Sequence, residues 1–388
     1  MILRIRGPDR SETFFGSRLT DLLHFWPNSR GMNRSRAIAI ADRAALVSLK
    51  LLAAINLLFL ASFLIMIALA MGKARAELPV CNGADMLAAL HKSDPAKLAA
   101  IKSEAAATPN GHGLLWKVEK AGVKPSFLFG TMHMTDARVM QLPEPGRAAF
   151  DAADTIVIET TDILDQQRMV AALAARPDLM MFTDGATLTS LLSTEDAATV
   201  EQALDKRGIP LQSVARMKPW MLSAIVAMPA CELARKAGGA PVLDVWLGNE
   251  AKARGKSVEG LESAIDQLEA MASLPMEFHM RGLVDTLKLG DRIDDVIETM
   301  IVLYDRQDTG MFWPLFRAVL PDTDGDEAGY VAFEEAMITS RNRTMARNAA
   351  PILARGNAFV AVGALHLPGE QGLVELLRQD GYTVSVIN

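Results

Sequence analysis

The longest hydrophobic stretch, Leu51 to Met71, is interrupted only by Asn56 and Ser62 and carries no charge. It predicts an N-terminal hydrophobic helix long enough to span a bilayer. From Cys81 to Ala107 the pattern is helical and alanine-rich, and Pro109-Asn110-Gly111 breaks it. The period then shifts from helical to alternating. Trp116-Lys117-Val118-Glu119 and Phe127-Leu128-Phe129 flank a Gly/Pro turn and predict a hairpin. A helix ending near Asp154 precedes Thr155-Ile156-Val157-Ile158-Glu159, an apolar run of buried-strand type.

Residues 162 to 340 are mostly helical by spacing, with breaks at Gly185, Gly208-Ile209-Pro210 and Gly238-Gly239. Two further strands are expected, one at Ser257-Val258-Glu259 running into Gly260-Leu261-Glu262 and one at Ala358 to Gly363. A helix from about Gly372 to Gln379 then leads into a last strand, Tyr382 to Ile387. Strand, helix, strand implies that part of the sheet is parallel. The predicted architecture is α/β: a mixed, partly parallel sheet with flanking helices and a large helical insertion at about 162–340.

Charge divides the chain. It is 388 residues long with a net charge of −6, but the first 76 residues hold 11 Lys and Arg against 4 Asp and Glu. The remainder is left at −13, which argues against a nucleic-acid groove. Basic residues before the apolar run, among them Arg34, Arg36, Arg43 and Lys50, favour keeping that end in the cytoplasm and exporting the rest. Ala74-Arg75-Ala76 has the small-x-small form of a signal-peptidase site, giving a mature chain from about Glu77; uncleaved, residues 1–76 would anchor the chain in the membrane. The expected location is the periplasm, or the inner membrane with the 77–388 domain outside the cytoplasm. The start is either Met1 or Met32, and Met32, followed by Asn33-Arg34-Ser35-Arg36, would make the more ordinary signal-peptide start. The two cysteines, Cys81 and Cys231, suit one disulfide in an oxidising compartment, with two unpaired buried thiols as the alternative.

Two histidines follow a glycine by three positions at the end of an apolar run: Gly130-Thr131-Met132-His133 and Gly363-Ala364-Leu365-His366. Glu159 and Glu262 also follow strands. Ligands of open parallel sheets bind beyond the strands' carboxyl ends, so these four groups are expected to converge. Two imidazoles and one or two carboxylates suit a divalent transition metal, and a metal so held performs amide or ester hydrolysis. The bland alternatives are a satisfied strand-end histidine, a helix-capping role for Glu159 and a solvated helix start at Glu262. Arg341, in Arg341-Asn342-Arg343, either clamps a substrate carboxylate or oxyanion or belongs to a solvated basic turn. Trp220, in Lys218-Pro219-Trp220, either packs or walls a substrate. HExxH, GxSxG and a complete phosphate loop are absent from the sequence.

The paired glycine-histidine motifs, the second extended as Leu367-Pro368-Gly369, resemble those of the TraB/GumN family, which includes the Tiki proteins. The resemblance extends to Leu115-Trp116-Lys117-Val118, Ile158-Glu159, Lys218-Pro219-Trp220, Gly260-Leu261-Glu262 with Gln267, and Arg341-Asn342, over roughly residues 80 to 388. It implies a fold akin to Tiki proteases and, more distantly, to erythromycin-esterase-like and haem-uptake proteins. It also implies a metalloprotease dependent on manganese or cobalt, zinc being a further option, that acts on a peptide or protein. Carried over, His133, His366 and Glu159 would hold the metal, with Glu159, Glu262 and Arg341 as catalytic groups. Two rival readings stand: a non-catalytic protein that binds a peptide or assists polysaccharide export, and a metal-free His/Glu esterase.

Overall fold

Six strands form one mixed sheet in the computed structural model, which describes residues 80–319 and 327–387. They are β1 (Leu115–Glu119), β2 (Ser126–Thr131), β3 (Thr155–Ile158), β4 (Ser257–Gly260), β5 (Ala358–Gly363) and β6 (Thr383–Ile387), in the order β4-β3-β5-β2-β1-β6. Neighbours β4, β3, β5 and β2 are parallel, whereas β1 pairs antiparallel with both β2 and β6. Only β1 therefore runs against the others. The connection from β5 to β6 passes over β2 and β1 to reach the far edge. The apolar run at 51–71 lies outside the described residues, and no described helix is long and apolar enough to cross a membrane.

Helices cover both faces of the sheet, which is why its central strands are apolar without interruption. The period-two alternation persists beneath that apolar run. Ile156, Ile158, Phe359, Ala361 and Phe129 pack to one side, against Phe150 of α1 (Glu144–Ala152) and Leu243 and Leu247 of a later helix. Val157, Val360, Val362 and Leu128 pack to the other side. There they meet Met345, Ala349, Ile352 and Leu353, spaced three and four apart on one face of a helix. Phe359 is stacked on Phe129 at 5.9 Å and meets Phe150 edge-on at 5.8 Å.

The remaining helices used below are α2 (Pro219–Val226), α3 (Ala230–Ala237), α4 (Leu243–Ala253), α5 (Ala264–Ala272), α6 (Met276–Leu289), α7 (Arg292–Asp305), α8 (Phe312–Val319), α9 (Glu327–Glu334), α10 (Ser340–Arg355) and α11 (Leu373–Gln379). The sheet-covering helix with Met345 is α10, and α4 carries Leu243 and Leu247. Among the described residues between 162 and 340, helices predominate and β4 is the only strand, and part of this region builds a separate apolar cluster around Leu188, Leu204, Leu222 and Leu283. A single π-helical turn, Glu335–Thr339, joins α9 to α10. Such turns are common at functional sites, and here the side chains that follow it reach the sheet's carboxyl edge.

Cys81 and Cys231 form a disulfide with 5.3 Å between their Cα atoms. It ties the start of the described chain to α3. The same helix grips the segment after β2: Glu232 accepts from the Thr135 backbone N–H at 2.8 Å and from its hydroxyl at 2.7 Å. Lys236 Nζ donates to the His133 carbonyl at 2.8 Å.

Candidate active site at the carboxyl edge of the sheet

Four neighbouring parallel strands each deliver one reactive group just past their carboxyl ends. Across the sheet the order is Glu262 after β4, Glu159 after β3, His366 after β5 and His133 after β2. His133, Glu159, His366 and Arg341 line one cavity of about 300 Å³, walled by apolar side chains that include Met300, Phe312 and Ile338. Glu262 does not line it and connects to the cavity through Arg341.

The motif glycines permit close approach rather than unusual backbone angles. Gly363 has φ −53°, which any residue adopts, but a Cβ there would lie 3.1 Å from Glu159 Oε1. Its bare N–H donates to that oxygen at 2.6 Å. At Gly130 a Cβ would come within 2.7 Å of Leu367, which follows the second motif, and 3.1 Å of Ala364 within it. Each glycine thus lets the two histidine-bearing turns and Glu159 pack against one another. Tyr304 of α7 closes the back by donating to the Gly130 carbonyl at 2.8 Å.

His366 is buried and its tautomer follows from its partner. The Asn342 amide nitrogen donates to the Gln371 carbonyl at 2.8 Å, which leaves Asn342 Oδ1 to accept from His366 Nδ1 at 2.6 Å. With its proton on Nδ1, the neutral ring presents the Nε2 lone pair, 3.7 Å from Glu159 Oε1. Burial pushes the imidazole down to about 4, with Glu159 opposing and Arg341 and His133 adding to the depression. For Glu159, burial acts upward, but His366, His133, Arg341 and the Gly363 N–H outweigh it and hold the carboxyl down to about 2. A carboxylate and an imidazole lone pair therefore face each other.

His133 stands opposite, with Nε2 3.5 Å from Asp244 Oδ2 at the start of α4. Its ring keeps 58% of its surface open within the cavity mouth, whereas Asp244 is 2% exposed. The surrounding walls lower the imidazole's pKa, but the Asp244 carboxylate overcomes this and raises it to about 9. Thr131 donates to Asp244 Oδ1 at 2.9 Å; Asp244 Oδ2 is a buried acceptor without a hydrogen bond among the described residues.

Arg341 leaves the first turn of α10 and lines the cavity with its guanidinium engaged by two carboxylates rather than solvated. Its Nη2 reaches Glu159 at 2.8 Å and Glu262 at 2.7 Å, while its Nε lies 3.0 Å from Glu262. Its side chain is 11% exposed. Gln267 of α5 donates to Glu159 at 3.1 Å and to Glu262 at 3.4 Å. Neither glutamate has the bland role weighed for it. Thr160, not Glu159, accepts from the Asp162 N–H, and the Glu262 side chain is buried. Trp220 lies outside this cavity and donates to the Leu179 carbonyl at 3.0 Å.

The donors suit a divalent ion in kind. His366 has one nitrogen committed to a neutral oxygen partner and the other left as a lone pair, the usual arrangement of a ligating histidine. Asp244 Oδ2 and Glu159 supply anionic oxygen. Among the described residues, however, no three His, Cys, Asp or Glu side chains are gathered closely enough to hold an ion as they stand. His133, with its exposed ring, has the room to turn. Asp244 and the supporting role of Asn342 went unmarked in the sequence. Nothing in the spacing pairs Asp244 with His133, 111 positions earlier in the numbering; the contact arises because α4 docks on the sheet beside β3 and β4 and Thr131 at the end of β2 holds Asp244.

Residues 114–386 match the TraB/PrgY/gumN family. Among curated proteins, the chain is similar to "Metalloprotease TIKI2" of Danio rerio, 24% identical over 322 residues, 70% of this chain and 60% of that protein. It is 22% identical to "Metalloprotease TIKI1" of Homo sapiens over 70% of this chain and 61% of that protein. A "Metalloprotease TIKI homolog" of Amphimedon queenslandica is 26% identical over 44% of this chain and 37% of its own length. The chain spans about 60% of the first two. No solved structure matches. With the family's match covering most of the chain and both glycine-histidine motifs, the protein belongs to the TraB/PrgY/gumN family.

Proposed function

We propose that this protein is a metal-dependent hydrolase of peptide bonds that works outside the cytoplasm. The observation that carries the reading is the His366 Nε2 lone pair facing the Glu159 carboxylate, in the cavity that His133 also lines. Arg341 and the Gly363 N–H offset part of the Glu159 charge, and a cation placed between that carboxylate and the His366 lone pair would be attracted by both. His366, Glu159 and His133 would hold that ion, manganese or cobalt by family resemblance and zinc as a further option. When bound, it would supply Lewis-acid polarisation of a carbonyl and an acidified water.

The chain's own residues do the rest. Asn342 fixes the His366 ring, and Arg341 with Gln267 holds Glu159 in place as ligand or general base. Glu262 neutralises Arg341 from behind and serves the site indirectly. The apolar walls lower the polarity around Glu159 and His366, which strengthens each charge interaction there. Calorimetric titration of the full chain with Mn²⁺, Co²⁺ and Zn²⁺, paired with peptide hydrolysis, tests the reading. Wild type is expected to bind an ion and cleave, and both His366→Ala and Glu159→Gln to lose binding and turnover. Equal, negligible ion binding in all three proteins would sink it, and peptide binding without turnover would favour a non-catalytic role.

One observation favours a metal-free His/Glu ester hydrolase instead: the absence, among the described residues, of three donors gathered in advance. That reading expects ester turnover that persists in chelator. Export is supported by the basic segment before the apolar run and by the Cys81–Cys231 disulfide. Terminal sequencing of the protein from cell envelopes would find a start near Glu77 if the signal is cleaved.

A further inference from the structure

Beside the candidate active site lies a second cavity of about 300 Å³, lined by Trp220, Phe278, His279, Phe316, Tyr330 and Phe333. Phe333 lines both cavities. On one side its ring lies parallel to Trp313 of the catalytic cavity, with centroids 5.8 Å apart and planes at 6°. On the other it meets Phe278 at 5.9 Å. Beyond Phe278 the rings continue: Tyr330 is edge-on at 6.0 Å, and His279 leads to Trp220 at 4.6 Å. The aromatic wall thus runs without a break from the catalytic cavity into the second one, within two ring-to-ring steps, the reach of a few residues of extended peptide.

We propose that this second cavity is a substrate-recognition subsite that takes a large apolar or aromatic side chain of a peptide bound across the catalytic cavity. Its size stands at the lower end of small-ligand sites, roughly 300–1,000 Å³, which suits one bulky side chain rather than a whole cofactor. Aromatic faces favour apolar and aromatic guests through offset and edge-on contacts. A second observation lies at the junction. Trp313, stacked on Phe333, carries at Nε1 a buried donor with no acceptor among the described residues. His279 is held on the far wall by its own bond from Nε2 to the Met271 carbonyl at 2.9 Å, so the wall is preformed.

The proposal rests on the hydrolase reading only for the identity of the guest, and its test is made without turnover. Gly282, in the middle of α6, lines the subsite, and a Cβ built there meets nothing within 4 Å. Gly282→Leu would therefore fill the cavity from a position outside the catalytic groups while favouring the helix. Gly282→Ala leaves most of the space open and serves as control.

The full chain is titrated in chelator with acetylated, amidated decapeptides that differ only by a Phe, Leu, Lys or Asp at one scanned position. Wild type and Gly282→Ala are expected to bind the Phe peptide about tenfold more tightly than the Asp peptide at the best position. Gly282→Leu is expected to lose that preference while melting no lower than wild type. Equal binding of Phe and Asp peptides by wild type, tightest binding of the Lys peptide, or a preference unchanged in Gly282→Leu would each overturn the proposal. A preference that follows this pattern, in a protein that cleaves nothing with any metal supplied, keeps the subsite and discards the hydrolase reading.

Discussion

His366 Nδ1 donates to Asn342 Oδ1 at 2.6 Å, a bond that sets which nitrogen of the ring faces Glu159. Removing the acceptor frees the ring to turn or to carry its proton on the other nitrogen. Asn342→Leu is expected to weaken divalent-ion affinity by about 10- to 100-fold, the usual cost of losing such a supporting partner. It also strands the Gln371 carbonyl, for a further loss of about 1–3 kcal/mol in stability. Ion titration and urea denaturation read the two effects separately.

Arg341 compensates two buried carboxylates at once. Arg341→Met would leave both without a cation, and is expected to destabilise the fold by about 3–5 kcal/mol. Adding Glu262→Gln to that variant removes one stranded charge, so the double variant should be more stable than Arg341→Met alone. Urea denaturation of the three proteins decides; a double variant weaker than the single one would contradict the pairing.

The Cys81–Cys231 bond closes a loop spanning a sequence separation of 150. Cys231→Ser is expected to cost about 2–5 kcal/mol, chiefly by releasing the unfolded chain. Melting wild type with and without reductant should show the same drop, and the variant should no longer respond to reductant.

Burial depresses the His279 pKa, against the opposing bond to the Met271 carbonyl. The folded value lies below the ordinary one of about 6.5, so the unfolded chain takes up the proton first as pH falls. This group's contribution is present above about pH 6.5 and is lost progressively as pH falls below it toward the depressed value. Wild type should lose more stability between pH 8 and pH 5 than His279→Gln, compared by urea denaturation at each pH. Equal losses would show that the histidine titrates alike in both states.

The strands were legible because β3 and β5 are buried on both faces, which forces Ile156-Val157-Ile158 and Phe359-Val360-Ala361-Val362 to read as continuous apolar runs. The ends of the strand runs place His133, Glu159, Glu262 and His366 beyond the sheet's carboxyl edge from the sequence alone. What the chain order hides is lateral. That β4 joins β3 rather than β5, and that β6 docks on β1, depends on how helices settle over the sheet. Asp244 and the ring chain through Phe333 are of the same kind: each is an ordinary residue of an amphipathic helix until tertiary packing brings it beside its partner. Arg341 was legible as a charged residue near the second motif, but its pairing with two carboxylates follows only from the turn that joins α9 to α10.

Adjacent strands in a sheet stand about 4.8 Å apart, so Glu262, Glu159, His366 and His133 are set out like teeth on a comb whose pitch is fixed by backbone hydrogen bonds. Retuning such an edge needs no change of scaffold: exchanging the residue on one tooth alters the chemistry there and leaves the spacing of its neighbours intact. Sliding any one strand by a single residue would instead turn its tooth to the opposite face of the sheet. Pairing register, more than the identity of any one side chain, is what this edge must preserve.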